Sequence, residues 1–225
     1  MRSATFEYSA SVNDNHENNA IRIHSHISGA LVVASLLTAA YAFIITGVPF
    51  SFMKEGRLIY ISEAFQDYCG WTVVIVGTTG GIVTFAQFVA SLHMQSNVAL
   101  VATLLQFLGW NVIIGVSNTG WVAHYIFLVI FFVSSVLFHR IASITPPYAS
   151  SVYQKINCIT ILSLPIFAIL FCCAALDAEK KKMYISSTVT MEFILTLCSV
   201  LEQLCLAYGI GKCSYMTLTF EDTLL

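Results

Sequence analysis

Between Asp67 and Arg140 the chain carries no Asp, Glu, Lys or Arg. A water-soluble domain needs charged groups on its solvated face, and so long a neutral run leaves no place for them. Hydrocarbon sets the opposite requirement, because each charged side chain at the centre of a bilayer costs roughly 2.5–3.5 kcal/mol. Polar residues interrupt the run at His93-Met94-Gln95-Ser96 and at Ser117-Asn118-Thr119-Gly120. They cut it into three apolar segments of membrane-spanning length. The chain is expected to be an integral, polytopic membrane protein.

Composition extends this reading to the rest of the sequence: 57% of residues are hydrophobic and only 10% are charged. An average soluble domain is about 25% charged. A helix needs about 20 apolar residues to cross the hydrocarbon core. Six segments supply them, at 29–50, 71–92, 97–117, 121–138, 157–176 and 189–210. The strict alternation of a barrel is absent, and backbone satisfaction in lipid then requires helices. The expected fold is all-α: six transmembrane helices in one bundle over 29–210. A polar N-terminal tail (1–28) and a short C-terminal tail (211–225) flank it. Tight links make the second, third and fourth spans antiparallel neighbours. The N-terminal residues, with Asn13, Asn15, Asn18 and Asn19, lack the layout of a cleaved signal peptide and are expected to be disordered.

The net charge of −2 gives no reason to expect a nucleic-acid partner. Cys158, Cys172, Cys173, Cys198 and Cys205 lie within apolar segments, where cysteine acts as a small core residue. No His-Glu-x-x-His, Gly-x-Ser-x-Gly or Cys-x-x-Cys pattern occurs. Neither a catalytic site, a cofactor nor a metal is expected, and the partners expected first are membrane lipids. Charge leaves the orientation open. With the N-terminus inside, Arg2, Arg22, Arg140, Lys155 and Lys212 balance Lys54, Arg57, Lys180, Lys181 and Lys182 outside.

Packing and polarity single out a few positions. Gly77 and Gly81 form a Gly-x-x-x-Gly pair in the second span, where small residues let helix backbones approach. Glu202 lies near the middle of the last span, and an ionisable residue at that depth is by default a functional candidate. Gln106, at a similar depth in the third span, is its first expected partner, and Gln87 the second. The bland reading is a structural hydrogen bond between helices. His124, one turn inside the fourth span, has no histidine mate for haem. In the C-terminal tail, Tyr215 to Leu218 fits the tyrosine-based signal read by clathrin adaptors, and Thr223-Leu224-Leu225 fits a PDZ ligand. Cys213, beside the membrane, is a candidate for palmitoylation.

Several segments, taken in order, resemble the DRAM-like family. That family includes the damage-regulated autophagy modulators, adaptors for phosphatidylinositol 4-kinase, and GPI-anchor lipid remodelling proteins. Leu58-Ile59-Tyr60-Ile61-Ser62-Glu63 is similar to its Pro-Tyr-Ile-Ser-Asp loop motif, with Ile59 for the proline and Glu63 for the aspartate. Leu108-Gly109, Asn118 and His124-Tyr125 resemble its third and fourth spans, and Met191-Glu192-Phe193 resembles the Cys-Glu-Trp that opens its last helix. The resemblance runs from about residue 29 to 225 and implies cytoplasmic termini. It implies a non-catalytic modulator of autophagy in the lysosomal or endosomal membrane. A plasma-membrane kinase adaptor or a Golgi/ER remodelling factor is the alternative. It also places His124 near Glu192, as a clamp or part of a lipid head-group site.

Overall fold

The computed structural model describes residues 14–51, 61, 69–116, 121–176 and 181–213. Among these stand six helices: α1 (Asp14–Ser51), α2 (Cys69–His93), α3 (Asn97–Val116), α4 (Trp121–Ile144), α5 (Ser151–Leu176) and α6 (Lys181–Lys212). Five contain stretches long and apolar enough to cross a membrane: Arg22–Ile45, Val74–His93, Ile126–Ile144, Ser151–Cys173 and Tyr184–Lys212. In α3 the apolar stretch is shorter, Asn97–Ile113.

The polarity of the bundle is inverted. Phe43, Leu162 and Ile169 are 74%, 66% and 63% exposed, while Gln87, His139 and Glu202 are fully buried. Large apolar side chains outside and amides inside suit a solvent of lipid tails. The chain is an integral membrane protein.

Each helix packs on its neighbours in sequence, and α6 returns to α1, so the six close into a ring. At one end, Ser28 Oγ donates to the Ala207 carbonyl at 2.7 Å. At the other, Ala42, Ile45 and Ile61 cluster with Tyr41 and Phe193. The first and last helices are therefore antiparallel. Short caps turn the chain between neighbours. Ser96 Oγ accepts the Ala99 N–H at 3.2 Å and Ser150 Oγ accepts the Tyr153 N–H at 3.1 Å, each three residues into the following helix. Gln95, at φ 51°, makes the left-handed turn between α2 and α3.

Two expectations need correction here. The Gly77–Gly81 pair does not bring another helix of this chain close: a Cβ built at either glycine meets nothing within 4 Å. The close approach falls on Gly80, where a Cβ would sit 2.2 Å from Trp110 Nε1. Residues 77 and 81 share a face, and Gly80 is turned away from it by the helical period. Second, α1 begins at Asp14, so the polar segment expected to be disordered is helical from there onward. An apolar span nucleates the helix, and each residue added to it gains a hydrogen bond while fixing only itself.

Candidate functional site

The polar side chains that lipid excludes from the outer surface meet along the inside of the ring. His139 of α4, fully buried, is their hub. Gln203 Nε2 of α6 lies 3.0 Å and Gln87 Nε2 of α2 lies 3.5 Å from His139 Nε2. With two amide nitrogens facing it, Nε2 accepts and the ring proton sits on Nδ1. That N–H then donates to the Tyr153 hydroxyl of α5. Four helices are tied through one imidazole. The expected fourth span, 121–138, stops one residue short of His139, but α4 continues to Ile144. The signal was present: Phe131, Ser134, Ser135, Phe138, His139 and Ala142, all buried, repeat at helical spacing.

Glu202 is also fully buried, but it faces α5. Its Oε1 accepts from Asn157 Nδ2 at 2.9 Å and from Thr160 Oγ1 at 3.1 Å, while Oε2 has no partner. The expected partners Gln106 and Gln87 are not the ones it meets. Depth was a sound guide, but α6 packs against α5 and α1, and consecutive residues on a helix point about 100° apart. Gln203, the next residue, faces His139 instead.

Gln106 lines a different feature, a cavity of about 50 Å³ with Ser35, Thr79, Gly80, Trp110 and Gln203 among its walls. The amide oxygens of Gln106 and Gln203 are both buried without a hydrogen-bond partner. Trp110 is fixed there because its Nε1 donates to the Val76 carbonyl at 3.0 Å and its ring lies tilted against Phe131, 5.0 Å between centroids. Thr38, Trp110, Phe131, Ser199 and Val200 line this cavity and also a second, larger chamber of about 120 Å³. The chamber is apolar and aromatic, with Leu128 and Phe132 on α4 and Ile113 on α3, and it reaches Glu192 and Ile61 at its far end.

Glu192 is buried, and its Oε2 accepts the backbone N–H of Ile61 at 2.9 Å across 131 residues of sequence. This contact joins Ile61, which lies between α1 and α2 in sequence, to the first half of α6. The side chain of His124 lies outside those the structure describes, as do Tyr215 and Leu218. Cys213 is described and buried: its thiol donates to the Gly209 carbonyl at 3.4 Å and lies 3.8 Å from the Tyr148 hydroxyl. Burial pushes the Cys213 thiol up from its ordinary pKa, a poor setting for acylation. Burial also raises the Tyr148 phenol. Among the described residues no three His, Cys, Asp or Glu side chains gather as a metal ion would need. No family model, no curated protein and no solved structure matches this chain.

Proposed function

We propose that the chain is a six-span membrane protein of the DRAM-like kind, a non-catalytic modulator of autophagy in the lysosomal or endosomal membrane with both termini in the cytoplasm. The single observation that carries this reading is the bond between Ile61 and Glu192. It ties together the two segments, Leu58–Glu63 and Met191–Phe193, on which the resemblance leans most. The count of six rests on α3, whose 20 residues measure about 30 Å, enough to cross beside its longer neighbours.

Clathrin adaptors reading Tyr215–Leu218, or a PDZ protein on the last residues, would be the cytoplasmic partners. The test is imaging of the tagged protein with and without Tyr215→Ala. Lysosomal signal that relocates to the cell surface in the variant is the expected result. Steady Golgi or ER residence, with loss of GPI-anchored proteins on deletion, would instead favour a lipid-remodelling role. One feature speaks for that second reading: an apolar chamber ending at Glu192.

A further inference from the structure

Five hydroxyl side chains line the cavity of about 50 Å³, and four of them are already bonded. Ser35, Thr38, Thr79 and Thr84 each donate to a carbonyl of their own helix, on Leu31, Ala34, Val76 and Gly80. Ser199 of α6 departs from that habit: its hydroxyl has no acceptor. Gln106 of α3 brings a second free donor. It is 4% exposed, and its amide oxygen is closed off from the cavity. Its amide nitrogen lines the space and has no acceptor either. A buried donor left unmatched costs about 1–3 kcal/mol. Two of them beside one small space call for an acceptor between them.

Charge narrows the class of acceptor. No Lys, Arg or His lines the cavity or the adjoining chamber, so an anion would be buried without a counter-charge. A carbonyl oxygen is neutral, offers two lone pairs and brings no proton that needs a partner of its own. Depth narrows it further. Gln106 stands midway along the 20 residues of α3, about 15 Å from either end. The esters of bilayer lipids lie at the margin of a hydrocarbon core about 30 Å thick, and their head groups bar them from its middle. The carbonyl must belong to a lipid without a polar head group.

The chamber of about 120 Å³ describes the rest of that molecule. It shares Thr38, Trp110, Phe131, Ser199 and Val200 with the cavity, and most of its other walls are apolar. Trp110 lies tilted 5.0 Å from Phe131, which meets Phe132 edge-on at 5.3 Å, so one wall is aromatic. The volume approaches the roughly 150 Å³ that admits one benzene, room for a six-membered ring whose carbonyl reaches into the cavity. Leu128 and Phe132 are only half-buried, which leaves an exit for a tail.

We infer that cavity and chamber together bind a lipid-soluble quinone. One ring carbonyl accepts from Gln106 and Ser199, the ring packs on Trp110 and Phe131, and the apolar tail runs out past Leu128 and Phe132. The site needs only the membrane placement of the bundle, not a particular compartment. A mislocalised protein would keep it, and a protein that bound no quinone would still answer the sorting test.

The experiment titrates the full-length protein in nanodiscs with decyl-benzoquinone, a quencher of indole fluorescence. Trp71→Phe and Trp121→Phe leave Trp110 as the sole tryptophan. The expected result is saturable quenching, relieved by decylcyclohexanone at least about tenfold more effectively than by decylcyclohexane or a monoacylglycerol. Gln106→Leu should raise the half-saturating concentration about tenfold, the loss of one hydrogen bond in a dry site. Ser199→Ala should do the same. It removes a hydroxyl that bonds nothing in the fold, and so serves if Gln106→Leu fails to fold. Quenching that grows without saturating would overturn the proposal and leave water as the acceptor. Equal competition by the hydrocarbon or the monoacylglycerol, or an unchanged half-saturation in Ser199→Ala, would overturn it as well.

Discussion

Trp110 occupies the place where any side chain at residue 80 would stand. A Cβ built on Gly80 would lie 2.2, 2.6 and 2.9 Å from three atoms of the indole. The same indole donates to Val76, four residues back on the helix that bears Gly80, so α2 and α3 are locked by shape and hydrogen bond together. Gly80→Ala should therefore destabilise the protein by about 1–3 kcal/mol, the usual scale of overpacking. Gly81→Ala, which meets nothing within 4 Å, should be close to neutral. Thermal melting of both variants in the same detergent checks this. Equal melting temperatures would refute the placement of Trp110.

Glu202 serves chiefly as an acceptor for Asn157 and Thr160 through one oxygen. Glu202→Gln keeps a carbonyl oxygen at that position and should change stability by less than about 1 kcal/mol. Glu202→Leu strands the buried Asn157 amide and should cost about 1–3 kcal/mol, whereas Thr160 keeps the Ile156 carbonyl as its acceptor. A double-mutant cycle with Asn157→Leu should recover part of that loss, since removing both partners removes the unmet need. Severe loss of function in a well-folded Glu202→Gln protein would show that its ionisation matters.

The Ile61 N–H has the Glu192 carboxylate as its acceptor. Hydrogen bonds to charged groups contribute roughly 1.5–3 kcal/mol. Glu192→Ala should speed hydrogen exchange at the Ile61 amide by about tenfold or more, and Glu192→Gln by less. Exchange mass spectrometry on peptides spanning residue 61 reads the difference. Unchanged exchange in the alanine variant would rule out the tie.

Cys213 gives a pH prediction. Burial raises its pKa in the folded chain, and contact with the Tyr148 hydroxyl partly lowers it. The fold thus favours the protonated thiol. The stability that follows is intact below the ordinary thiol pKa and is lost as the pH climbs through the raised value. A variant with Cys213 as its sole cysteine should react slowly with maleimide at neutral pH and rapidly once unfolded. Fast reaction in the folded state would contradict the burial, and would reopen this thiol to acylation.

Much of the fold was legible because lipid imposes a coarse rule, the absence of charge, that shows directly in the sequence. The breaks at His93–Ser96 and Ser117–Gly120 marked the ends of α2, α3 and α4 within a few residues. Partner choice was harder to read. Depth alone put Gln106 first and Gln87 second as partners of Glu202, because it carries no information about rotation around the helix. Asn157 and Thr160 sit one turn apart on α5, the spacing that lets two donors reach one carboxylate. His139 was overlooked because an apolar window ends at Arg140, whereas the helix and its buried row continue past it. The cavity had no sequence signature at all. It arises where residues of five helices meet, and they look unremarkable on each.

The closure of the ring has a consequence for how the protein is made. α1 emerges first, yet the helix that seats its Ser28 hydroxyl and faces its inner side is the last to be synthesised, 179 residues later for that bond. Gln203 and Glu202 arrive with it, so until then His139, Asn157 and Thr160 lack the α6 groups they bond. Until α6 packs, the earlier helices carry these polar groups in a solvent of lipid tails that offers no replacement partner. Without α6 the other five helices form an open horseshoe with a polar inner lining, and the last helix closes the ring and satisfies that lining in one step.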